Sequence, residues 1–125
     1  MSLGYEKLVA WQRADDLFIA IHRVSRGFPS DERFGLCAQV RRAAYSVPAN
    51  IVEGMARRSP ADRLRFLNIA EASLAEVSYC LHAASRLGYI APQSLLQLEK
   101  DLNGVGAPLS GLIRSIRASA DNQEA

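Results

Sequence analysis

The chain has 125 residues, 49% of them hydrophobic and 22% charged, with a formal net charge of +2. That is one domain's length, able to bury roughly two-thirds of its unfolded surface without staples, and the composition excludes a disordered chain. Two cysteines with no Cys-x-x-Cys read as small buried hydrophobes in a reducing compartment, and no leader-like N-terminal segment and no apolar run near ~18 residues point to a cytoplasmic chain with no membrane association.

Four helical segments and no convincing strand appear within one domain spanning residues 1–125. The first is expected from about 5 to 26, where Leu8, Trp11, Ala14, Phe18, Ile21 and Ser25 recur at spacings of three and four, widened by Leu17 and Val24. Gly27-Phe28-Pro29 stops it, and Ser30 is expected to cap the next helix, with Asp31 and Glu32 in its first turn. The second helix is expected over about 31–56 and is bent at Pro48, where the ring removes one backbone donor and crowds the carbonyl of Ala44. Ser59-Pro60-Ala61-Asp62 starts the third, over about 60–87, with Leu67, Ala70, Leu74, Val77, Leu81 and Ala84 on its core side. Gly88 ends that helix and Ala91-Pro92 opens the fourth, over about 92–117, with an unbroken register from Leu95 to Ile116. Pro108 is expected to kink the fourth helix without dividing it, and residues 118–125 are expected to fray. Short connections make neighbours antiparallel, so the fold is all-α: an up-down-up-down four-helix bundle.

The second helix carries the strongest signal. Leu36, Val40, Ala43, Val47, Ile51 and Met55 form one apolar face, and Ala38, Tyr45, Ala49 and Val52 a second. A surface helix of a monomer needs one such stripe. The second implies another packing partner, so Tyr45, Ala49 and Val52 are assigned to contact with a second copy of the chain. Between the faces lie Gln39, Arg42, Ser46, Asn50, Glu53 and Arg57, and Gln39, Arg42, Asn50 and Glu53 are expected to form a polar network, with arginine neutralising Glu53.

No catalytic constellation emerges. His22 and His82 lack a second ligand at helical spacing, no Glu-x-x-His pair exists for a di-iron site, and no glycine-rich phosphate loop occurs. No enzyme, metal or cofactor is expected. Arginine outnumbers lysine thirteen to two. Arg41, Arg42, Arg57, Arg58, Arg63 and Arg65 bracket the turn between the second and third helices, and Arg41, Arg57, Arg58, Arg63 and Arg65 are the residues assigned to phosphate contact. The competing expectation is a solvated turn whose arginines pair locally with Asp62. Phe66 is placed near the core edge by its helical phase.

Several runs resemble one family. They are Leu8-x-x-Trp11-Gln12-x-Ala14, Phe28-Pro29, Gln39 to Ala44 followed by Ser46-Val47-Pro48-Ala49-Asn50-Ile51-x-Glu53-Gly54, and Arg65-Phe66-Leu67-x-Ile69-Ala70-x-x-Ser73-Leu74-x-Glu76. The family is the four-helix-bundle proteins encoded in intervening sequences of bacterial 23S ribosomal RNA genes, and the match runs from about Tyr5 to Arg117. The accessory variability determinant of diversity-generating retroelements, which works beside a reverse transcriptase, is a related branch. The resemblance implies antiparallel helices, a ring-shaped homopentamer, nucleic-acid association through basic surface in some members, and no established catalysis. The chain departs from the family at Ala72, often Gly, and at Val52, often Ala. The expected partners are therefore other copies of the chain, RNA or DNA, and a nucleic-acid-processing protein. The alternative is a protein–protein scaffold that binds no nucleic acid.

Overall fold

The computed structural model describes residues 4–124, with side chains to residue 122. Four α-helices carry the fold: α1 (Val9–Ser25), α2 (Leu36–Met55), α3 (Pro60–Arg86) and α4 (Pro92–Glu124). Single 3-10 turns at Tyr5–Lys7 and Ser30–Glu32 precede α1 and α2, and no strand occurs among the described residues. α1 and α3 each pack against α2 and α4, while α1–α3 and α2–α4 stand on the diagonals with their backbones apart. The cross-helix contacts run in opposite senses. Phe18 meets Tyr45 whereas Ser25 meets Arg41; Ser46 meets Ser73 whereas Gly54 abuts Phe66 and Leu67; Glu71 meets Ser110 whereas Leu74 abuts Gly106. Neighbouring helices joined by short connections are antiparallel, as the loop lengths require.

The core is a single cluster fed by all four helices. Val40, Val47, Ile51, Leu67, Val77, Leu81, Val105 and Leu109 sit in it at or near zero exposure, at the positions the periodicity picks out. On α1 the buried row is turned slightly from the expected one. Ala10, Ala14, Leu17, Ile21 and Ser25 are buried, and Trp11 and Phe18 flank the core half-buried beside α2.

The helix ends show where local chemistry ruled. At α3, Ser59 Oγ accepts the Asp62 N–H at 3.1 Å and Pro60 fills the first helical position. Its other end closes in a Schellman motif. Tyr89 N–H donates to Ala84 C=O at 2.8 Å and Gly88 N–H to Ser85 C=O at 3.0 Å, with Gly88 at φ 79°. α1 ends differently from expectation: Gly27 takes no left-handed turn, and successive i→i+3 bonds from Arg26, Gly27 and Phe28 tighten the chain instead. The expected Ser30 cap is also not made. Ser30 opens the 3-10 turn, α2 starts five residues later than expected, and Glu32 supplies the cap by accepting the Leu36 N–H at 3.3 Å. Gly35 makes this possible, because a Cβ there would lie 2.7 Å from Glu32 Oε1. α4 does not stop near 117 but continues to Glu124.

α2 and α4 each run unbroken through an internal proline. Pro108 cannot offer an N–H to the carbonyl of Gly104. Arg13 of α1 replaces that donor, its guanidinium reaching the Gly104 oxygen at 3.0 Å. A helix-to-helix contact therefore repairs the defect.

Candidate nucleic-acid interface

The connection between α2 and α3 is fixed by the Ser59 cap and by Arg63, whose Nε–H donates to the Arg57 carbonyl at 2.8 Å. That bond folds residues 57–63 into one corner. Arg57 and Arg65 approach the half-buried ring of Phe66, each guanidinium carbon 4.7 Å from its centroid. The aromatic residue at the core edge is thus the platform on which two cations are ordered. Arg58 is exposed beside them. Arg57 makes an ion pair with Glu53 at 3.3 Å, with the two side chains 44% and 55% exposed. A pair that open contributes little stability and leaves its charges accessible. The expected pairing with Asp62 is absent among the described residues, where its backbone N–H, not its carboxylate, makes the bond to Ser59. Arg57, Arg58, Arg63 and Arg65 therefore converge on one corner, with one of them held by a carboxylate.

Arg41 does not join them. Fourteen positions separate it from Met55 at the end of α2, a rise of about 21 Å, and Arg57 lies beyond that end. It turns toward α1, where Nε donates to Ser25 Oγ at 2.7 Å and Nη2 to the His22 carbonyl at 3.3 Å. A cation there takes one carbonyl of the last turn of α1 and complements its dipole. Counting charges near the turn could not separate the two ends of α2. A signal did exist in Ser25, a polar residue at a core position of the first helix, which needed a partner.

The expected polar network of Gln39, Arg42, Asn50 and Glu53 is not formed. Asn50 Nδ2 donates back to the Ser46 carbonyl at 2.7 Å and to Ser46 Oγ at 2.9 Å, and Ser46 Oγ lies 2.7 Å from Ser73 Oγ on α3. The stripe is bridged to α3 by two hydroxyls, whose small size lets the helices approach. Gln39 and Arg42 instead line an open cleft of about 360 Å³ with Ser73 and Glu76, and Glu53 lies outside with Arg57. Ser73 was missed because its partner is on another helix.

The second apolar face of α2 lies on the α1 side. Tyr45, Ala49 and Val52, with Trp11, Phe18 and Pro48, line a shallow hollow of about 320 Å³ rimmed by Asp15 and Glu53. Tyr45 is 59% exposed, and its ring meets the edge of Phe18 at 5.9 Å. The single chain leaves this face partly uncovered.

Of the remaining reactive groups, His22 and the two cysteines are packed and His82 is exposed. His22 stands edge-on to Phe18 at 4.8 Å, and partial burial, then the charges of Arg41 and Arg26, hold its pKa below the usual imidazole value. His82 lies beside Tyr79. Cys37 and Cys80 are buried and free, and burial, then Glu76, pushes the Cys80 thiol up. No helix among the described residues is long and apolar enough to cross a membrane.

The family model described as "23S rRNA-intervening sequence protein" matches residues 6–111. Among solved structures, a protein of unknown function from the S23 ribosomal protein family of Bacteroides thetaiotaomicron superposes with a TM-score of 0.78 at 24% identity, covering 84% of this chain and 98% of that one. That likeness is one of fold. No curated protein matches.

Proposed function

Because the chain belongs to the family of 23S rRNA-intervening sequence proteins, we propose that it acts without catalysis, as a homo-oligomer that holds structured RNA or DNA on its basic α2–α3 corner. The assembly favoured is a pentameric ring, and a nucleic-acid-processing protein is a further partner. The observation that carries the reading is the convergence of Arg57, Arg58, Arg63 and Arg65, two of them ordered on Phe66, with Glu53 as the acid engaged there. Guanidiniums in this density fit a phosphate backbone and read no base edges. Support for self-association is the uncovered face of Tyr45, Ala49 and Val52.

The test is a salt titration of binding to a fragment of structured ribosomal RNA. The wild-type affinity should fall linearly on a log–log plot. Replacing Arg57, Arg58 and Arg65 by Gln should reduce the slope by about 3, near 0.9 per lost phosphate contact. Arg63 is left in place because it closes the corner. Absent binding at low ionic strength, or an unchanged slope in the triple variant, overturns the nucleic-acid reading. The apolar α1–α2 hollow then favours the scaffold.

A further inference from the structure

At the other end of the bundle lies a second basic feature. Between the end of α1 and the first turn of α2 is an open cavity of about 280 Å³, walled by Arg26, Arg33, Arg41 and Ser30 over Phe28 and Cys37. None of its three arginines is ion-paired among the described residues. The two acids of this connection do not serve them. Glu32 accepts the Leu36 N–H with one oxygen and the Tyr89 hydroxyl with the other, and Asp31 makes no ion pair with them among the described residues. Arg41 is already immobilised by Ser25 and His22, so a ligand would lose little side-chain entropy in engaging it.

Beside this cavity stands Phe34, 88% exposed, the most open large hydrophobic side chain among those described. Arg33 links the two: it lines the cavity, and its guanidinium carbon stands 5.4 Å from the Phe34 ring centroid. The Phe34 ring contributes nothing to the core. A cationic hollow with an adjacent open aromatic face offers the two contacts of a nucleotide: tetrahedral anion and planar base.

We propose that the α1–α2 corner is a single-nucleotide site, in which Arg26, Arg33 and Arg41 hold a phosphate and Phe34 stacks on the attached base. Its ligand is a nucleotide with an unpaired base, such as the single-stranded end of an RNA. A base inside a duplex has no free face for Phe34. The inference is independent of the α2–α3 corner, whose arginines lie at the opposite end of α2 and bind a backbone without reading bases.

The experiment is a titration of the full chain, at fixed ionic strength, with AMP, ribose 5-phosphate and adenosine, followed by ligand-observed NMR. AMP should bind most tightly, ribose 5-phosphate more weakly and adenosine least. Phe34→Ala should weaken AMP about tenfold, to the level of ribose 5-phosphate, and leave ribose 5-phosphate unchanged. Arg26→Gln with Arg33→Gln should weaken both phosphates at least about tenfold. Both positions are exposed, so circular dichroism should show an unaltered fold. The site is overturned if AMP does not bind saturably, or if either variant binds AMP as the wild type does. A Phe34→Ala chain that keeps AMP binding but changes its assembled mass would assign the ring to a protein contact and sink the proposal. Arg57→Gln, Arg58→Gln and Arg65→Gln together should leave AMP binding intact, so this site and the α2–α3 corner fail separately.

Discussion

Two residues show how individual side chains decide helix contacts here. Arg13 restores the hydrogen bond that Pro108 denies to Gly104. Arg13→Met keeps the aliphatic stem and removes the donor, so it should cost about 1 kcal/mol in urea unfolding at fixed protein concentration. The same change in a Pro108→Ala background should cost less, because an alanine amide then reaches the Gly104 carbonyl, and the double-mutant cycle reads the difference. Gly54 is the second case. A Cβ at this position would stand 3.2 Å from the Arg63 carbonyl oxygen and 3.3 Å from Phe66 Cβ. Neither is the flexible end of a side chain. Gly54→Ala gains about 1 kcal/mol of helix propensity but must push α2 from α3 at the corner. The net effect should be a loss of about 1 kcal/mol, seen as a lower unfolding midpoint, together with weaker binding by the corner arginines.

At the scale of elements, α2 joins α1 and α3. Its core face, its hydroxyl stripe against Ser73 on α3 and its apolar flank beside Phe18 on α1 point three ways. The periodicity of residues 36–55 made both apolar faces legible before any coordinates. It could not say which neighbour each face would meet. Arg57 neutralises Glu53 as expected, but the wider network with Gln39, Arg42 and Asn50 failed for a related reason. A helical wheel puts residues on one stripe, but a polar stripe closes only on the partners the adjacent helix brings, and α3 brought Ser73 and no cation. Tyr45→Glu together with Val52→Glu tests the apolar flank. Light scattering should fall from several times the 13.7 kDa chain mass to that of one chain, with helical circular dichroism nearly unchanged because Tyr45 is outside the core.

For the whole molecule, the two ends of the bundle carry different chemistry. Phe66 orders two arginines at one end, and Phe34 stands open at the other beside three unpaired ones. The chain's net charge of +2 is an average over these ends and understates both. A cluster reaches a phosphate through its local density, and charges beyond a Debye length of about 8 Å add little at physiological salt. The connections at the Phe34 end are also tied to each other, through Tyr89 to Glu32 at 3.0 Å and the Phe28–Tyr89 ring pair at 5.6 Å. That brace holds the Arg33–Phe34 segment in place against the bundle.

Apolar spacing and end signals were enough to determine the number of helices, the core faces of α2, α3 and α4 and the start of α3, because each depends on residues within a turn or two of one another. Tertiary structure decided the rest. It sent Arg41 to the end of α1, gave Glu32 the cap that Ser30 was expected to make, and supplied Arg13 to the carbonyl that Pro108 leaves open. Arg41 and Arg42 stand apart from Arg57, Arg58, Arg63 and Arg65 by the rise of α2 alone, and packing chose only their partners. Side-chain hydrogen bonds and charge fields reach only a few ångströms, so their partners are set by which helices pack together and not by distance along the chain.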